Sequence, residues 1–367
     1  MSIYQDMGLK RVVNASGRVT VLGVSTISER VAKAAVKGGQ SYVVMEDLMI
    51  RAGQLISKHT GAEASCPTSC ASAAIALTTA ALVTKGRYTD ILRLPDSTDL
   101  ANEIVLQKGH SINYGAPIST MIRLGGGVPV EVGQANEVRP EDIEEGITDK
   151  TVALLYVKSH HCVQKGMVGI ETMCDIAHAH GLPFMMDCAA EEDFRKYIAL
   201  GADVVCYSGA KALEATTSGF VTGRADIIRN VQRQYVGIGR AMKVGKEQIA
   251  GLLEALDQYD ERNPAEAATR NNDLADWLVE QIDAIEGLHA AKIQDEAGRA
   301  IWRCRVSVDS ASGKTAAQVN AELRGGDPIV WARTEFLNLG LIDLDPRPLV
   351  EGDKELLVET FKKIMGV

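Results

Sequence analysis

Between about residues 46 and 225, short apolar runs alternate with stretches of helical period, the signature of βαβ units wound into a mostly parallel sheet. The clearest stretch lies between Thr151 and Lys211. The β-rich run 152–157 predicts a buried strand, and residues 171–180 follow with a helical pattern that Gly181 caps and Pro183 stops. Residues 183–187 (Pro-Phe-Met-Met-Asp) predict a second buried strand whose last residue is a carboxylate. A helix over about 191–200, ended by Gly201, leads to a strand over 203–207 that runs straight into Ser208-Gly-Ala-Lys211.

Beyond about residue 245 the pattern changes. Helical runs over 249–259 and 265–285, a strand over 301–308 and a final helix over 354–365 predict a smaller α+β domain with loops at Gly325-Gly-Asp-Pro-Ile-Val-Trp-Ala-Arg333 and Pro346-Arg347-Pro348. The expectation is an α/β chain with an N-terminal segment 1–45, a large domain 46–250 and a small domain 251–367. A length of 367 residues supports the division, because single cores stop growing before that size.

Charge narrows the partners. The net charge is −9 and no basic run could neutralise many phosphates, which speaks against nucleic acid. The N-terminus lacks the apolar core of a signal peptide, and no stretch reaches the roughly 18 apolar residues of a membrane span, so a cytoplasmic protein is expected. Seven scattered cysteines without a paired spacing read as reduced core residues.

Two residues then suggest chemistry. Ligands of open α/β sheets sit beyond the carboxyl ends of strands, where both Asp187 and Lys211 fall. A lysine partly desolvated there suits Schiff-base chemistry with pyridoxal 5′-phosphate (PLP), and an acid 24 residues earlier suits its pyridine nitrogen. Alone, Lys211 reads as a surface charge and Asp187 as a helix cap; together they favour a cofactor site.

The turn Thr68-Ser-Cys-Ala-Ser-Ala-Ala-Ile75 opens a helix of small residues, so Cys70, Ala71 and Ser72 can bring backbone N–H groups to a phosphate, or simply pack closely. Ser208 can add a hydroxyl or cap its own turn. In the loop Gln107-Lys-Gly-His-Ser-Ile-Asn-Tyr-Gly115, His110 is favoured over Tyr114 as a flat side chain against the cofactor ring. His160 and His161 follow another strand end; with no further ligand at metal spacing, they read as facing substrate or cofactor, and no metal is expected.

Together with Val13-Asn-Ala-Ser-Gly17, Asp187-Cys-Ala-Ala190 and Gly239-Arg-Ala-Met-Lys-Val244, these pieces resemble fold-type I PLP enzymes of the bacterial selenocysteine synthase-like family, over nearly the whole chain. The resemblance implies that Lys211 is the Schiff-base residue and that Asp187 meets the pyridine nitrogen. It further implies that Arg240 and Lys243 lie near the phosphate, often across a subunit boundary, and that the protein is a homodimer or a higher even-numbered oligomer. It also implies that residues 1–45 pack on the small domain and the active site, and that 46–250 bind the cofactor.

The chain begins almost at the Asn14 motif, without the N-terminal domain with which selenocysteine synthase grips tRNA, so tRNA is not expected. Tyr42-Val-Val-Met-Glu-Asp-Leu48, Gln107-Lys-Gly-His110 and Ser208-Gly-Ala-Lys-Ala-Leu213 resemble the family's ammonia-lyase branch. That likeness implies conversion of a 2-amino-2-deoxy sugar acid, D-glucosaminate 6-phosphate, to a 2-keto-3-deoxy acid phosphate and ammonia. Arg18, Arg333 and Arg347 are then the expected grips for carboxylate and phosphate. The alternatives are a selenocysteine synthase-like transferase, an aminotransferase or other eliminating lyase, and a non-catalytic relative that binds PLP or a tRNA partner.

Overall fold

The computed structural model describes residues 2–296 and 298–367. Its strands, among the described residues, are β1 (Val12–Ala15), β2 (Ala64–Thr68), β3 (Glu103–Gln107), β4 (Val128–Val132), β5 (Thr151–Val157), β6 (Phe184–Asp187), β7 (Val204–Ser208), β8 (Gly219–Gly223), β9 (Leu288–Gln294), β10 (Trp302–Val308), β11 (Ile329–Ala332) and β12 (Leu341–Leu344). The chain divides into two compact units, Ile27–Glu261 and the pair of segments Met1–Thr26 and Arg262–Val367.

The larger unit carries a seven-stranded sheet in the order β2-β8-β7-β6-β5-β3-β4. Its strands run parallel except β8, which is antiparallel to both neighbours. Strands β6, β7 and β8 are buried at every position, as their apolar runs require of a sheet covered on both faces. Helix Ala71–Thr84 is buried nearly all round, which explains its run of small residues.

The smaller unit is α+β. An antiparallel sheet ordered β12-β10-β9 carries helices Pro264–Asp283, Ala316–Gly325 and Asp353–Met365, and the pair β1-β11 is parallel, with Val12 beside Ile329 and Ala15 beside Ala332.

The units differ from the expected division at both ends. Helix Lys246–Glu261 packs along Glu29–Gly39, tied by Ser28 to Gln258 at 2.9 Å and by Arg30 to Glu254 at 2.8 Å and Glu261 at 2.6 Å. Residues 27–45 and 251–261 therefore belong to the large unit. The helix expected over 191–200 shrinks to Lys196–Ala199. Asp187 takes the N–H of Ala189 at 3.1 Å and Asp193 those of Arg195 and Lys196 at 3.0 Å, side-chain bonds that compete with a helical ladder.

Candidate active site

The register pairs Val157 with Asp187 and Asp187 with Cys206, so the carboxyl ends of β5, β6 and β7 stand in a row. Asp187 closes β6 and is 5% exposed. Burial pushes its carboxyl up to about 6, against the pull of the Lys211 charge and the Ala189 N–H. Lys211 is half-buried in the turn after β7. That turn is braced by Gly209 N–H to Ser218 O at 2.8 Å, Ala215 N–H to Gly209 O at 2.9 Å and Glu214 N–H to Lys211 O at 3.2 Å. Ser208, the last residue of β7, is buried, and its N–H reaches Ala189 O at 3.4 Å, linking the two strand ends.

Cys70 caps helix Ala71–Thr84, its Sγ accepting the Ala73 N–H at 3.4 Å, while Ala71 and Ser72 open the first turn, where N–H groups lack helical acceptors. Gly219 allows this helix end to sit against β8. A Cβ there would lie 2.6 Å from the carbonyl carbon of Cys70, 2.7 Å from Tyr207 O and 2.9 Å from Ala71 N. The signal for it was a glycine inside a strand pattern, which often marks a close backbone approach.

His110 ends a short 3-10 turn, Lys108–His110, after β3. It is 2% exposed, its Nδ1 accepts the Val157 N–H at 3.4 Å, and its ring meets Tyr156 edge-on at 4.5 Å. Burial and then the Lys158 charge lower it to about 4, so the imidazole is neutral. Tyr114, the less favoured residue of that loop, joins the cluster: Ser72 Oγ donates to its phenol oxygen at 3.4 Å.

Ser72 and Tyr114 thus meet in the first turn of the helix that Cys70 caps, and that helix end lies beside the Tyr207 backbone of β7. Asp187 ends the neighbouring strand β6, where the Lys211 charge acts on it. His160 and His161 stand in the turn after β5, rings 4.0 Å apart, with His161 N–H bonded to Ser159 Oγ at 3.2 Å. Arg240, in the 3-10 turn Ile238–Met242, and Lys243 just after it are exposed. All seven cysteines are unbridged, and among the described residues no group of three or more His, Cys, Asp or Glu is arranged to hold a metal ion.

The small unit holds the arginines. Arg347 grips Asp345 with two hydrogen bonds, 3.0 Å from Nε and 2.8 Å from a terminal nitrogen. Asp345, fully buried, also accepts from Arg303 at 3.2 Å, and Arg303 reaches Asp295 at 2.7 Å. Burial raises the carboxyl of Asp345, but Arg347, Arg303 and Arg333 together hold it well below the ordinary range. Arg333, itself buried, bonds Glu335 at 2.8 Å and Ser16 O at 3.4 Å, and Asp345 N–H reaches Ala15 O at 2.8 Å. The turn Asn14-Ala-Ser-Gly17, which precedes Arg18, is therefore fastened to both Arg333 and the Arg347–Asp345 pair. The charge network went unread in the sequence, although Arg303 and Arg305 on β10 and Asp343 and Asp345 near β12 have the two-residue spacing of one sheet face.

In the large unit, the donor set fits PLP: an amine for its aldehyde, a buried carboxylate for its ring nitrogen, a neutral imidazole, and a helix N-terminus with hydroxyls for its phosphate.

The family model for SelA, L-seryl-tRNA selenium transferase, matches residues 12–318. A D-glucosaminate-6-phosphate ammonia lyase of Salmonella typhimurium is 47% identical over 364 residues, covering 99% of this chain and 98% of that one. A 5'-C-glycyluridine monooxygenase-decarboxylase of a Streptomyces species is 41% identical over 365 residues, 99% of this chain and 92% of that one. A solved D-glucosaminate-6-phosphate ammonia-lyase structure superposes with a TM-score of 0.91 at 47% identity, covering 100% and 98% of the two chains. An aspartate aminotransferase of Thermus thermophilus, at 17% identity and a TM-score of 0.56 over 98% and 93%, shares the fold. With the family model spanning most of its length, the chain belongs to the SelA family of fold-type I PLP enzymes.

Proposed function

We propose that the chain is a PLP-dependent ammonia-lyase that converts D-glucosaminate 6-phosphate, a 2-amino-2-deoxy sugar acid phosphate, to the 2-keto-3-deoxy acid phosphate and ammonia. The observation that carries this reading is the 47% identity, end to end, with the Salmonella lyase. We place it in the cytoplasm as a homodimer or a higher even-numbered oligomer; the exposed run Tyr42, Val43, Val44 and Met45 offers an apolar surface for a second copy.

When bound, the cofactor supplies an electron sink for negative charge developing at the substrate α-carbon. Lys211 holds it through its amine, and Asp187 keeps the pyridine nitrogen protonated. His110 offers an uncharged ring face, which leaves the charge on that nitrogen to Asp187 alone. The first-turn N–H groups at Ala71 and Ser72, with Cys70 and Ser208, take the phosphate, and the exposed Arg240 and Lys243 add positive charge. The Lys211 amine, when not holding the cofactor, would remove the α-proton and return a proton to the departing 3-hydroxyl, which would leave as water. With Lys211 again holding the cofactor in place of the substrate nitrogen, the enamine product would tautomerise to an imine and take up water, giving keto acid and ammonia. Arg18, Arg333 and Arg347 are the candidate grips for the substrate's carboxylate and phosphate, and His160 and His161 would face substrate or cofactor.

The test is product analysis of purified enzyme with D-glucosaminate 6-phosphate. Equal amounts of ammonia and 2-keto acid without an amino acceptor are expected. A requirement for an acceptor would mean transamination, and no turnover across a panel of 2-amino acids would mean a non-catalytic relative. The Streptomyces relative supports a second reading, decarboxylation with oxygen, which would show as oxygen uptake and carbon dioxide release.

A further inference from the structure

The loop that follows His110 is unusually well fastened. Asn113 Oδ1 accepts the Gly115 N–H at 2.9 Å, Tyr114 N–H reaches Ala116 O at 3.2 Å, and Ile118 N–H reaches Ile112 O at 3.0 Å. Gly115 stands at φ 111°, a conformation that other residues rarely adopt, and it turns the chain back on itself. The ring of Tyr114, between these bonds, packs against the apolar cluster that includes Ile75, Leu106 and Cys206.

This anchoring delivers the phenol to one place. Its oxygen accepts from Ser72 Oγ at 3.4 Å, in the first turn of helix Ala71–Thr84. Burial pushes the phenol up to about 12, against the Ser72 hydrogen bond, with the charges of Asp187, Cys70 and Cys206 adding to the rise. A phenol in that range stays protonated at neutral pH. Because Ser72 supplies the hydrogen between the two hydroxyls, the phenolic hydrogen of Tyr114 is left to donate elsewhere, and among the described residues none accepts it.

From this geometry, and resting on the PLP reading above, we propose that Tyr114 is a cofactor-binding residue that donates its phenolic hydrogen bond to the phosphate group, with Ser72 aligning it. A phosphate at the helix N-terminus would meet backbone N–H groups on one side and the Ser72–Tyr114 hydroxyl pair on the other. The residue thus does for the phosphate what His110 is placed to do for the ring, and one loop serves both ends of the cofactor.

The experiment compares wild type, Tyr114→Phe and Ser72→Ala, each stripped of cofactor with hydroxylamine and titrated with PLP and, separately, with pyridoxal, which lacks the phosphate. Binding is read from absorbance and fluorescence. Tyr114→Phe is expected to weaken PLP roughly tenfold or more, as loss of a hydrogen bond to a charged group does, and to leave pyridoxal unchanged. Ser72→Ala should show a smaller loss with the same selectivity. Thermal melting of the stripped proteins checks that the variants fold, which the retained aromatic ring favours. Unchanged PLP affinity in Tyr114→Phe, or an equal loss for PLP and pyridoxal, would overturn the proposal. A wild type that binds neither compound, and whose spectrum is the same as that of Lys211→Ala, would instead sink the PLP reading itself.

Discussion

Asp187 ends β6 and Lys211 stands just beyond the carboxyl end of the adjacent parallel strand β7, and the lysine's charge pulls down a carboxyl that burial pushes up to about 6. A buried acid of this kind works against folding when ionised, and it persists because the site needs it.

That relationship has a measurable consequence for stability. The folded carboxyl of Asp187 binds its proton more tightly than the ordinary value of 3.8, so its contribution to stability is present at low pH and is lost as pH rises from about 4 through about 6. Cofactor-free Asp187→Asn is expected to be more stable than cofactor-free wild type at pH 8, by up to about 3 kcal/mol for a shift of this size, with the gap closing near pH 4. Urea unfolding at the two pH values measures this. The same variant should lose at least about a hundredfold in lyase activity, since an amide cannot keep the pyridine nitrogen protonated.

His110 titrates in the opposite sense. Its folded value lies near 4 against an ordinary 6.5, so the stability it supports at neutral pH is lost as pH falls through that window. His110→Phe should flatten the loss of stability between pH 6.5 and 4 and keep most PLP affinity, because a ring remains. His110→Ala should flatten it equally but weaken PLP severalfold. If both variants bound PLP like wild type, the ring-facing role would be wrong.

Removing a partner from the charge network of the small unit should be costly. Asp345→Asn leaves Arg303 and Arg347 with one carboxylate fewer in a buried setting, and a loss of about 3 kcal/mol or more is expected in denaturant unfolding. Arg347→Lys keeps the charge but not the paired geometry with Asp345. It should raise KM for D-glucosaminate 6-phosphate by about tenfold or more while the bound cofactor's spectrum stays as in wild type. A KM like that of wild type would remove Arg347 from the substrate site.

Gly219→Ala tests the close approach of helix and strand. The added methyl would lie within 3 Å of backbone atoms of Cys70, Tyr207 and Ala71, none of which can rotate away. The helix N-terminus must shift, so PLP affinity and thermal stability should both fall. Pyridoxal affinity should fall less than PLP affinity, because the displaced N–H groups serve the phosphate.

Much of the large unit was legible in sequence because its signals are local. The apolar runs of β5, β6 and β7 end in residues that mark strand termini, and a parallel strand's carboxyl end is where a ligand goes whatever the rest of the chain does. The spacing of Asp187 and Lys211 held meaning because one βα unit separates them. His110 was legible as a loop aromatic after β3, but not its neutrality, which depends on burial and on Lys158 from the neighbouring strand end.

The α/β class and the strands β5, β6, β7 and β10 could be read from the chain alone, and Asp187 and Lys211 could be singled out as candidates, since each follows from periodicity and side-chain type within a short window. Only the tertiary structure decided that Tyr114 belongs with Ser72, that Gly219 lets a helix end touch a strand, that β1 pairs with β11 some 300 residues away, and that Asp345 is shared by Arg303 and Arg347. Most of these contacts join segments far apart in the chain. A local pattern such as a glycine in a strand or charges two residues apart marks one partner but not the other, because the pairing draws on burial and charge neutralisation that exist only once the chain has folded.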